Sequence, residues 1–95
     1  MLLKIKKMVV ENSGYKRQIY FQNIYVNVRS IVSISDYDVV QNFLLKENSE
    51  FANEKYSLVK IEEGGSIQDL IVLGAADKIY DDYRSGSSEK KILNG

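Results

Sequence analysis

The stretch IYFQNIYVNVRSIVSIS, residues 19–35, constrains the fold of this chain more than any other. Ile24, Val26 and Val28 alternate with Tyr25 and Asn27, and β-branched and aromatic residues fill half of the remaining places. Side chains of this kind suit a pleated, half-buried surface, and a period of two is the strand period. Residues 31–35 repeat the pattern as a further short strand. Asn27 marks the change from one strand to the next. Its short amide can hydrogen-bond local backbone and tolerates unusual φ values, so it reads as a turn residue rather than a chemical group.

The neighbouring segments read in the same way. Residues 2–10 form a strand in which Leu3 and Ile5 share one parity while Met8 and Val10 share the other. A parity change near Lys6-Lys7 predicts a bulge or kink. Glu11-Asn12-Ser13-Gly14 is a turn, and residues 15–22 return as a strand that Gln22-Asn23 can interrupt. Residues 56–62 alternate again. Glu62-Glu63-Gly64-Gly65 is a hairpin turn whose glycines supply positive φ. The strand at 66–73 ends in Leu70-Ile71-Val72-Leu73, apolar on both faces, as a central covered strand would be.

Helical period occurs twice. Val39, Val40, Phe43 and Leu44 give an amphipathic helix within 36–48, with Ser35 or Asp36 as its cap and Phe51 folding back onto its apolar face. Ala76, Ile79, Tyr80 and Tyr83 give a second helix at 75–84 that stops near Ser85-Gly86. The fold class is therefore α+β: a single antiparallel sheet of about five strands with two short helices on one face. Residues 1–85 form one domain, and the polar stretch 86–95 reads as a flexible C-terminal tail.

A chain of 95 residues buries a modest share of its surface and needs other support. With no Cys and no His, disulfides, thiolate metal sites and the commonest zinc ligand are excluded, which favours partner subunits as the support. Net charge is zero but unevenly placed. Residues 1–30 carry six basic groups (Lys4, Lys6, Lys7, Lys16, Arg17, Arg29) against Glu11 alone, and the remainder is acidic to the same extent. Charge enters the N-terminal segment too early for a secretory signal, and the longest apolar run, 70–76, is too short to span a bilayer. The expected location is cytoplasmic, or a virion if the gene is phage-encoded, with no membrane insertion.

Catalytic options are few. Without His or Cys no Ser-His or Cys-His nucleophile can be built, and no motif places a Ser-Lys pair. Gly64-Gly65 lacks the Gly-Lys-Ser/Thr continuation of a phosphate loop. Asp36-Tyr37-Asp38 carries oxygen ligands for a divalent cation, but as a helix cap with dipole-favouring acids it needs no metal, and that is the reading taken. Asp77 and Asp81, with Asp82 beside them, share a helix and read as a solvated face. Glu89-x-Lys91 resembles a fragment of a nuclease signature within the tail. No catalytic, cofactor-binding or metal-ligating residue is assigned, and no cofactor is expected.

The pattern Tyr25-Val26-Asn27-Val28-x-x-Ile31-x-x-Ile34, followed by a hairpin ending in Leu70-Ile71-Val72-Leu73 and a short helix, resembles the FlbD family of small flagellar-operon proteins. The resemblance covers about residues 19–35 and 56–83. The chain departs from the family in an extra N-terminal strand and in the helical segment at 36–50, where the family has a tight connection. The resemblance implies a small sheet-plus-helix module without known catalytic residues. The Lys/Ile/Asn/Tyr-rich composition is also similar to that of small phage proteins.

Together these features predict a non-enzymatic interaction or assembly module, an oligomer or an accessory structural subunit of a larger assembly such as a phage virion. The partner is the chain itself or another protein subunit, and the partner-binding residues are Lys16, Arg17, Tyr20, Tyr25 and Arg29. A second reading is a small nucleic-acid-binding or regulatory protein. In it the aromatic and basic groups of Tyr15-Lys16-Arg17-Gln18-Ile19-Tyr20-Phe21 would meet bases and phosphates.

Overall fold

Alternation in the first third of the chain produces one long hairpin. In the computed structural model, which describes residues 1–47 and 49–94 with side-chain detail through residue 85, β1 (Leu2–Ser13) and β2 (Lys16–Asn27) pair antiparallel. Their register runs unbroken from Leu2↔Asn27 to Ser13↔Lys16. Gly14, at φ 64, opens the two-residue loop between them. A short 3-10 helix, Val28–Ser30, leads to β3 (Ile31–Asp36), and Asn27 begins it by accepting a hydrogen bond from the Arg29 amide at 2.9 Å. The expected Asn turn is present, with Asn27 at an ordinary φ of −69.

The second half is a meander with two helices. The helix α1 (Val39–Lys46) and a 3-10 turn at Glu50–Asn53 precede β4 (Tyr56–Glu63), β5 (Ser66–Leu73) and α2 (Ala76–Asn94). Gly64 and Gly65, at φ 57 and 84, close the tight turn from β4 to β5, as the local sequence requires. The helix α2 continues past Ser85-Gly86, where the pattern had placed its end; a lone glycine costs a helix only about 1 kcal/mol and does not by itself stop one. The flexible tail expected at 86–95 falls on residues whose side chains lie outside the description.

Strand order is β2-β1-β5-β4-β3, antiparallel throughout, so β5 is central and β2 and β3 are the edges. Only Val28–Ser30 separates the two edge strands in sequence. A flat sheet of this order would hold its edges about 19 Å apart, while the step from Asn27 to Ile31 reaches at most roughly 14 Å. The sheet therefore curls. β1 meets β5 in a single registered pair, Lys7↔Val72, and its N-terminal part then swings away.

Curling gives the sheet two cores. On the inner face Leu3, Ile5, Val26, Val59, Ile61, Leu70 and Val72 gather around Ile79 of α2. On the outer face Met8, Ile19, Phe21, Ile71 and Leu73 meet Val40 and Leu44 of α1, with Tyr56 and Phe51. Phe51 folds back as expected, and its ring stands edge-on to Phe21 at 4.9 Å. Leu70 and Val72 point inward while Ile71 and Leu73 point outward, so β5 is covered on both sides.

Further expectations change. The two helices do not share a face, because α1 covers the outer surface and α2 the inner one. No bulge occurs at Lys6-Lys7 and no break at Gln22-Asn23. The apolar parity switches there because the hairpin is covered on its inner face at one end and on its outer face at the other. Nor does Asp36 or Ser35 cap α1. Asp38 stands at that N-cap with no side-chain bond, and the Asp36 carboxylate accepts instead from the Ala76 amide at 2.9 Å.

Ser57, a polar residue buried in the core, donates from Oγ to the Gly74 carbonyl at 2.7 Å. The Gly74 amide donates to the Lys55 carbonyl at 2.8 Å. Gly74 holds φ 120, and a Cβ there would lie 3.2 Å from Ile79 Cδ1. Only glycine satisfies both conditions, which is why the β5–α2 junction needs one.

Candidate interaction surfaces

All five residues expected to bind a partner lie on β2 or just after it, yet they do not form one patch. Alternation sends Arg17 and Tyr25 to the outer face with Ile19 and Phe21, and Lys16 and Tyr20 to the inner face. Arg29 lies beyond, on the 3-10 helix.

Two of the five are already engaged within the chain. Arg17 Nη1 donates to Glu47 Oε1 at 2.8 Å, and its guanidinium lies 5.7 Å from the centre of the Phe43 ring. These contacts tie the hairpin to α1. The Tyr20 hydroxyl donates to Glu11 Oε1 at 2.8 Å, across the hairpin. That bond raises the Tyr20 pKa, with smaller upward contributions from desolvation and from the Glu11 charge, since a nearby carboxylate disfavours a phenolate. Lys16, Tyr25 and Arg29 remain exposed, Tyr25 with 62% of its surface accessible.

The backbone of β2 offers more than its side chains. β2 pairs with β1 along one side, and among the described residues no strand lies on the other. Across residues 18–27 it carries no charged side chain, and the chain has no proline to block pairing. The opposite edge is shorter and less regular. β3 has six residues, slips register between Ile31 and Ser33, and is flanked by α2 through Tyr80 and Tyr83.

No protein-family model, curated protein or solved structure matches this chain.

A second feature lies where β1 swings away from β5. The gap is a cleft of about 550 Å³ lined by Lys4 and Lys6 of β1, Lys55 before β4, Gly74, and Lys78 and Asp82 of α2. Asn53 and Glu54 complete its rim. Lys4 and Lys6 were legible in sequence only as part of a basic N-terminal segment. Lys55 and Lys78 carried no signal, because nothing local links positions so far apart.

The carboxylates do not converge. Asp36 is used at the start of α2, and no group of three or more potential metal-ligating side chains occurs among the described residues. Among the described residues no helix is long and apolar enough to cross a membrane.

Proposed function

We propose that this protein is a non-enzymatic assembly module that associates through β2, as a homo-oligomer or as an accessory subunit of a larger structure. The contrast between its two sheet edges carries this reading. Proteins that remain monomeric shield sheet edges with short strands, bulges, charges, proline or a covering element. β3 is short, irregular and flanked by α2, whereas β2 presents twelve residues with an uncharged middle.

A second copy of the chain is the simplest occupant. Antiparallel pairing of two β2 strands about Phe21-Gln22 would set Lys16 and Arg17 of one copy roughly 35 Å from those of the other. Like charges then lie far apart, and Tyr20, Tyr25 and Ile24 come into cross-strand reach. The added strand contributes main-chain hydrogen bonds, and its side chains contribute selectivity.

Analytical ultracentrifugation tests this directly. The chain is expected to sediment at about twice its 10.9 kDa mass. The exposed double substitution Gln22→Glu/Asn23→Glu, which sets like charges at the pairing centre while placing carboxylates opposite Lys7 and Lys6 within the hairpin, is expected to return it to a monomer. A wild-type monomer at several hundred micromolar would overturn self-association.

A further inference from the structure

We infer that the outer face of the β1–β2 hairpin, together with the adjoining cleft, binds single-stranded nucleic acid. A base would stack on Tyr25 while the phosphates pass over Lys4 and Lys6 toward Lys55 and Lys78.

The register sets the order of these groups. Lys4 is directly opposite Tyr25, and Lys6 opposite Asn23. Directly opposed residues share a face with Cβ atoms about 5 Å apart. This face is the outer one. Farther along the hairpin Ile19 and Phe21 are packed against the elements around α1, but at this end Tyr25, Asn23, Lys4 and Lys6 are all exposed. On the far side of β1 the cleft opens, bringing Lys55 and Lys78 to the same track. Tyr25, the two β1 lysines and the cleft therefore succeed one another across the strands.

The chemistry favours this ligand. An exposed phenol ring offers a stacking platform to any base, and ammonium groups on flexible stems meet phosphates as point charges without reading sequence. Among the described residues the ion pairs are Arg17–Glu47 and Lys60–Asp69, and none of the four lysines takes part in either. Glu54 and Asp82 on the rim lower the local excess to two positive charges, so binding is salt-sensitive and of modest affinity. The site keeps Tyr25 of the residues expected from sequence but not the segment 15–21, where Arg17 and Tyr20 are held by Glu47 and Glu11. Tyr25 is shared with the β2 edge, but Lys4, Lys6, Lys55 and Lys78 lie off that edge, so the lysine variants separate this site from self-association.

Fluorescence anisotropy with a labelled oligothymidine of about 12 nucleotides, at roughly 20 mM salt, tests the site. Binding is expected to weaken with salt at a log–log slope of about −2 to −3, which corresponds to up to four phosphate contacts by a single strand. Lys4→Glu/Lys6→Glu and Lys55→Glu/Lys78→Glu should each weaken it at least about tenfold. Tyr25→Ala should weaken it roughly 5- to 100-fold, while leaving weak binding of inorganic tripolyphosphate unchanged. All five side chains are exposed, and circular dichroism verifies that each variant is folded. No anisotropy change at low salt would overturn the inference, as would charge-reversed variants that bind within about twofold of wild type. Tripolyphosphate binding as tight as oligothymidine, with Tyr25 indifferent, would overturn it too.

Discussion

The Asp36 carboxylate accepts a hydrogen bond from the Ala76 amide at 2.9 Å, joining the end of an edge strand to the first turn of a helix forty positions later. The exposed amides at a helix start carry partial positive charge, so a carboxylate there satisfies a donor and complements the dipole. Together with Ile79 and Tyr83 packed on the inner core, this bond orients α2 across the curled sheet.

Replacing Asp36 with Ala is expected to lower stability by about 0.5–1.5 kcal/mol in urea unfolding, the range for losing a helix cap. Asp38→Ala should change it by less than about 0.5 kcal/mol, because Asp38 makes no cap bond. The reverse order of effects would place the working cap at α1 instead.

Tyr56 predicts a pH effect. Its ring is buried, and its hydroxyl donates to the Phe51 carbonyl at 2.5 Å. Burial first, and the nearby Glu54 charge second, push its pKa up to about 12 from the usual 10. The fold thus favours the neutral phenol. That contribution is complete below pH 10 and is lost as pH rises from 10 towards 12, where the unfolded chain ionises first. Tyr56→Phe should cost about 1–2 kcal/mol at neutral pH through the lost hydrogen bond. Between pH 10 and 12 the gap to wild type should narrow by roughly 1–2 kcal/mol. A gap that stays constant up to pH 12 would show that the phenol titrates normally.

The switch of faces along the hairpin can be read by mutation. Ile5 is buried on the inner face, so Ile5→Ala should cost about 2–4 kcal/mol. Lys6→Ala, one residue on and facing outward, should stay within about 0.5 kcal/mol. Val9 shares the parity of Ile5 but lies beyond the inner core, so Val9→Ala should cost clearly less than Ile5→Ala. Equal costs at Ile5 and Val9 would mean one face is covered along the whole strand.

Local chemistry was legible before any tertiary contact was known. The Gly64-Gly65 turn has the positive φ values its sequence demands, and the doubly apolar end of β5 is the central strand. Asn27 makes its turn with a bond two residues away. The parity change in β1 was also visible, but its cause was not. A bulge and a change of covered face leave the same trace in sequence, and only the unbroken pairing with β2 separates them.

Residues a few positions apart were enough to place the strands, two helices and the tight turns, though not the end of α2, and composition excluded His and Cys chemistry. Tertiary structure alone decided which helix covers which face, which carboxylate caps which helix, and that Arg17 and Tyr20 spend their polar groups on Glu47 and Glu11. It also decided that Lys4, Lys6, Lys55 and Lys78 share one cleft. The physical reason is reach. Propensity and periodicity act over one turn or one hairpin, whereas these pairings arise only when a short connection between opposite edges forces the sheet to curl.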